Sequence, residues 1–110
     1  MKLSNITEGV VSTSRGRIVD AKNDVAELLV TTIRRMGVEP NVEYADSVSD
    51  DAIIYVDIGG QTVMVQIISD DDIQVQLPEP LARVLRVPDY VKLGDPSRVG
   101  RILRKILAAR

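Results

Sequence analysis

Carboxylates are the residue type best placed to do chemistry in this chain. Asp70-Asp71-Asp72 forms one acidic run, and carboxylate oxygens suit hard divalent cations. The run lacks the ligand spacing of an EF-hand and has no Glu beside it, so a solvated hairpin tip is the competing reading. Glu43, Asp50, Asp51 and Asp57 form a second group of the kind that holds the cation of a metal-dependent nuclease. Such a site usually adds a lysine, and none of the four lysines lies within 52–77. The chain has no His and no Cys, which removes the commonest general base, the commonest transition-metal ligand and any thiolate or disulfide. Gly59-Gly60 lies between two strand-like runs rather than between a strand and a helix, so it is not a phosphate loop. The sequence therefore predicts no catalytic residues, no metal and no cofactor.

The elements that position these residues define an α+β domain. From Arg17 to Met36, the residues Ile18, Ala21, Val25, Leu28, Leu29, Thr32, Ile33 and Met36 recur every three or four positions, which predicts one long helix with one apolar stripe. Gly37 and the basic pair Arg34-Arg35 are stop signals. Residues 1–16 are expected to be a flexible arm or an edge strand, and Val42–Ala45 a short first strand. Ala52–Ile58, Gln61–Ile68 and Asp72–Leu77 are β-branched runs separated by Gly59-Gly60 and Ser69-Asp70-Asp71, which predicts a three- to four-stranded antiparallel meander. A short helix at 81–86 follows Pro78-Glu79-Pro80, and Pro88-Asp89-Tyr90 interrupts it. Asp95 is the expected cap of a final helix from Pro96 to about Ala109. Residues 17–110 thus make one domain.

A tight Gly59-Gly60 turn places Val56 opposite Val63, Ile54 opposite Val65 and Ala52 opposite Ile67. A three-residue loop at 69–71 then places Ile67 opposite Ile73, Val65 opposite Val75 and Val63 opposite Leu77. Both registers assign the same aliphatic residues to one face. The other face carries Ile53, Tyr55, Asp57, Thr62, Met64, Gln66, Gln74 and Gln76. It is either a plain solvent-facing side or a platform, on which Tyr55, together with Tyr90, stacks bases and the glutamines form hydrogen bonds.

Cations are concentrated elsewhere. Residues 1–80 carry a net charge of −8 and residues 81–110 a net of +6, within a whole-chain charge of −2. The basic third calls for an anionic partner, either nucleic acid or the acidic part of this or a neighbouring copy. Arg83, Arg86, Arg98, Arg101 and Arg104 are the candidate phosphate contacts. The last helix combines these arginines with the stripe Val99, Ile102, Leu103, Ile106 and Leu107, which makes 96–110 a candidate oligomerisation helix.

The core has to be aliphatic, since 16 Val, 11 Ile and 9 Leu stand beside three Tyr and no Phe or Trp. Ten Arg against four Lys, with no Cys, His or Trp, fits a thermophile. No apolar run approaches the ~18 residues of a membrane span and the first residues do not resemble a signal peptide, so the expected compartment is the cytoplasm.

The long helix containing Ala21-Lys22-Asn23-Asp24-Val25-Ala26-Glu27-Leu28-Leu29, the meander at 51–77 and the basic apolar helix Val99–Leu107 together form a layout that resembles the ThermoDBP-like single-stranded DNA-binding proteins of thermophilic archaea. The resemblance implies sequence-tolerant binding of single strands in a cleft, with assembly through the C-terminal region. With the residues above, it makes a non-enzymatic, oligomeric binder of single-stranded DNA or RNA the leading expectation. Its site residues are Tyr55, Met64, Gln66, Gln74, Gln76, Arg83, Arg86, Arg98, Arg101 and Arg104. The rival is a protein–protein assembly module with no nucleic-acid role, and a small nuclease ranks last.

Overall fold

A computed structural model describes residues 5–86, 88, 90–93 and 96–109, with side chains from residue 17 onward except at 85, 90–93 and 109. The element order is α1 (Asn5–Arg35), β1 (Asn41–Glu43), β2 (Ala52–Ile58), β3 (Gln61–Ser69), β4 (Asp72–Gln76), α2 (Glu79–Leu85), β5 (Tyr90–Leu93) and α3 (Pro96–Ala109). The five strands form one antiparallel sheet in the order β1-β2-β3-β4-β5. The α+β architecture agrees with the sequence reading, including the long first helix and the basic C-terminal helix.

Strand register follows the side-chain alternation. Val56 pairs with Val63, Ile54 with Val65 and Ala52 with Ile67 across β2 and β3. Across the next pair, Val65 faces Val75 and Ile67 faces Ile73. Gly59 and Gly60 both have positive φ, 61° and 80°, as a two-residue turn of this hand demands and as side-chain-bearing residues resist. The second connection is tighter than the expected three-residue loop. Ser69 pairs with Asp72, so the loop is Asp70-Asp71, and a register shift between Ile67 and Ser69 leaves Ile68 as the extra residue. The bulge lets the turn shorten without sliding the aliphatic face out of the core.

All helices that contribute to the core do so on that face. Ile54, Ile58, Val63, Val65, Ile67, Ile73 and Val75 are buried against Ala26, Leu29, Val30 and Ile33 of α1, Leu81 and Ala82 of α2, and Val99, Leu103 and Ile106 of α3. The molecule is a two-layer sandwich, with the sheet on one side and helices on the other.

Three expectations are revised. The predicted α1 stripe divides: Leu29 and Ile33 are buried, whereas Ile18 and Leu28 are 46% and 57% exposed. The true core stripe is Lys22, Ala26, Leu29, Val30 and Ile33, turned by less than a quarter of the helix. Residues 5–16, expected as an arm or edge strand, are helical in backbone from Asn5 onward. Their Gly, Thr and Val content is poor for starting a helix, but extending one already formed adds a hydrogen bond per residue without a new nucleus. The short helix ends at Leu85, before Pro88, but Tyr90 opens a fifth strand that the sequence reading does not include, while residue 89 and the expected cap at Asp95 lie outside the described residues.

Lys22 is the one buried charged residue among those described, at 4% exposure. Its Nζ donates to the carbonyls of Val48 and Asp50, each at 2.7 Å. One turn face away, Asn23 makes a reciprocal pair with Ala45: Nδ2 donates to the carbonyl at 3.0 Å, and Oδ1 accepts the Ala45 N–H at 2.9 Å. The Tyr44 hydroxyl donates to the Glu27 carboxylate. Together these bonds tie the β1–β2 connection to α1.

Replacing Lys22 by Met removes both bonds and strands two carbonyls, so urea unfolding should show a loss of about 1–3 kcal/mol. Tyr44 titrates above its ordinary value of 10.0, chiefly because it donates to Glu27, with burial and the Glu27 charge adding to the effect and Arg34 opposing it. The raised value means that the neutral phenol is favoured in the fold. Its contribution is complete below pH 10.0 and is lost as pH rises through the raised value. Ultraviolet titration of Glu27→Gln against the parent should move one tyrosine back toward its ordinary value.

Candidate nucleic-acid interface

The uncovered face of the sheet is organised as two rows that run across all five strands. The first is Asn41, Tyr55, Met64, Gln76 and Tyr90, and the second is Glu43, Ile53, Gln66, Gln74 and Lys92, each residue paired with its neighbours in the row. The alternation that buries Ile54 and Val65 sends Tyr55, Met64 and Gln66 to this side, where they are half-buried by one another. Gln74 is half-buried and Gln76 exposed. The five predicted sheet residues are therefore brought together on one surface. The sequence reading named Tyr90 as a possible stacking residue and passed over Lys92. Their signal is a run of only four residues, Tyr90–Leu93, set between Pro88-Asp89 and Gly94, which is too short for alternation to distinguish a strand from a loop.

Gln66 is not free to rotate. Its Nε2 donates to Oδ2 of Asp51 at 2.5 Å, which fixes which edge of the amide faces outward. Glu43 and Asp57 are exposed at the margins of the face, and no cation is found among its described side chains. The carboxylates do not converge: among the described residues no three are placed to share a metal ion. Asp71 instead accepts a bond from the Ser69 hydroxyl at 2.6 Å, a local contact within the hairpin tip.

The arginines lie on the other side of the molecule. The apolar stripe of α3 is covered by its own chain, since Val99, Leu103 and Ile106 are buried and Ile102 and Leu107 are packed against them. Arg98, Arg101 and Arg104 consequently point away from the sheet and are exposed. Arg101 and Arg104 line an open groove of about 580 Å³ between α1 and α3, floored by Leu28, Leu29, Thr32 and Pro96, with no carboxylate in its lining. The helices approach closely at Gly100, where a β-carbon would stand 3.6 Å from the Thr32 methyl, an ordinary contact. Arg83 forms an ion pair with Glu79 on α2, and Arg86 ends that helix in the left-handed conformation. The ten predicted residues thus form two sets, an amide–Tyr face and an arginine set, separated by the thickness of the sheet and its helical layer.

Compared with family models, curated proteins and solved structures, the chain finds no match in any of the three. No helix among the described residues is long and apolar enough to cross a membrane.

If α3 belongs to the core of its own chain, Leu103→Ala should cost about 2–5 kcal/mol, and the loss should be the same at every protein concentration. A loss that vanished on dilution would instead place Leu103 between subunits.

Proposed function

We propose that this protein is a non-enzymatic, sequence-tolerant binder of single-stranded nucleic acid that works as an oligomer. The observation that carries the reading is the pair of five-strand rows on the uncovered sheet face, with Tyr55 and Tyr90 three strands apart in one row and Gln66, Gln74 and Lys92 in the other. Adjacent strands are spaced about 4.8 Å apart, so the two tyrosine positions span roughly 14 Å, room for bases to lie between them. Aromatic stacking and amide hydrogen bonds tolerate any base. Phosphates need cations, and those of Arg98, Arg101 and Arg104 face away from this surface within one chain. A second copy has to present them, and for that reason the proposal includes an oligomer. The layout that resembles the ThermoDBP-like proteins points the same way.

The exposed Glu43 and Asp57 favour a second reading, in which the same face holds a protein partner. Fluorescence anisotropy with a labelled oligonucleotide at two salt concentrations separates the two. The nucleic-acid reading expects binding that weakens steeply as salt rises. Tyr55→Ala should reduce affinity by about 1–3 kcal/mol, and Arg101→Glu with Arg104→Glu should flatten the salt dependence. Absence of binding at low salt would sink the reading and leave the protein-partner one.

A further inference from the structure

Helix α1 is longer than the body it covers. Its 31 residues span about 46 Å, and the molecule measures 58 Å in its long dimension against 25 and 20 Å in the others. Lys22 is the first side chain of the helix to be buried among those described, and Arg17, Ile18 and Asp20 are exposed. Helices in proteins owe most of their stability to packing of one face, and the part of α1 before Lys22 has no buried face among the described side chains. Along it, Thr7, Val11, Ser14, Ile18, Ala21, Val25, Leu28 and Thr32 recur at alternating spacings of four and three, the heptad seam of a helix that packs on another helix. The described part of this seam lies beside the core stripe, with Ile18 46% and Leu28 57% exposed.

We propose that two copies of this chain pair antiparallel along the α1 seam. Charge selects the orientation and the register. Arg17 and Asp24 stand one heptad apart on the same flank of the seam, both are exposed, and among the described residues neither forms an ion pair. When Ile18 lies opposite Ala21 of the second copy, Arg17 meets Asp24 of the second copy, and the two-fold repeats the pair. A parallel pairing in register sets Arg17 toward Lys22 of the second copy and finds no opposite charge. The antiparallel register also sets Val25 opposite Ser14 and Leu28 opposite Val11 of the second copy. At the described pair a large residue, Ile18, faces a small one, Ala21, so the backbones can approach closely there. The first half of the second α1 runs over Leu28 and Thr32 in the groove beside α3 and leaves Arg101 and Arg104 at its rim. This interface is independent of what the sheet face binds.

Sedimentation equilibrium of the full chain tests it, with circular dichroism as the check on folding. The parent should be a dimer. Ile18→Asp, at a site exposed within its own domain, should be a folded monomer. Arg17→Asp places two like-charged pairs in the interface and should weaken dimerisation on the order of tenfold. Adding Asp24→Arg restores opposite charges and should recover the parent affinity. A monomeric parent, or a dimer that Ile18→Asp leaves intact, overturns the interface. An unchanged Arg17→Asp, or a double variant no tighter than the single one, overturns the antiparallel register.

Discussion

One aliphatic sheet face that has to be kept from water governs this structure. The chain has no Phe or Trp to fill space from a distance, so exclusion depends on many short β-branched side chains meeting in register. That requirement tolerates no slip. Moving β3 by one residue against β2 would put Met64 and Gln66 into the core and Val63 and Val65 outside it. The positive-φ turn at Gly59-Gly60 and the bulge at Ile68 hold the register at either end of β3. Coverage then needs both α1 and α3, because neither helix spans five strands alone.

The same constraint determines where charge can go. With the apolar stripe of α3 turned inward, its arginines have only the outer surface of the helical layer left. With the aliphatic face of the sheet turned inward, tyrosine, methionine and glutamine are left on the far side. The segregation of −8 and +6 along the chain thus becomes largely a segregation in space, with acids on the sheet margins and connections and most bases of the last third on α2 and α3, while α1 carries both signs. A single copy can present either surface to a ligand but not both at once.

Most of the meander could be read from sequence because alternation and turn chemistry are local and agree with each other. Ile54, Val56, Val63, Val65, Ile67, Ile73 and Val75 were assigned to the core, and all are buried. What was hidden was not local. β5 is four residues long and becomes a strand by pairing with β4. The ends of α1 stay helical where propensity is weak, since the rest of the helix has already met the cost of nucleation. Periodicity alone counted Ile18 and Leu28 with the core because a stripe at 3.6-residue spacing can be drawn through two adjacent faces of one helix, and only the sheet determines which face is covered. Lys22 was missed for a related reason: a hydrophobic pattern has no place for a lysine whose Nζ satisfies two carbonyls inside.

Lys22 marks the boundary between these two faces. On its C-terminal side, α1 turns Ala26, Leu29, Val30 and Ile33 into the core, while on its N-terminal side Arg17, Ile18 and Asp20 stay in solvent. An aliphatic residue at that position would extend the core stripe, but the β1–β2 connection would lose the donor that holds Val48 and Asp50 against the helix. Without that anchor, the connection rests on the Asn23–Ala45 pair and on the bond from Tyr44 to Glu27. β1 is only three residues long, and it forms one end of both rows on the uncovered face. The position of Asn41 and Glu43 beside Tyr55 and Ile53 therefore depends on a side chain buried on the opposite side of the sheet.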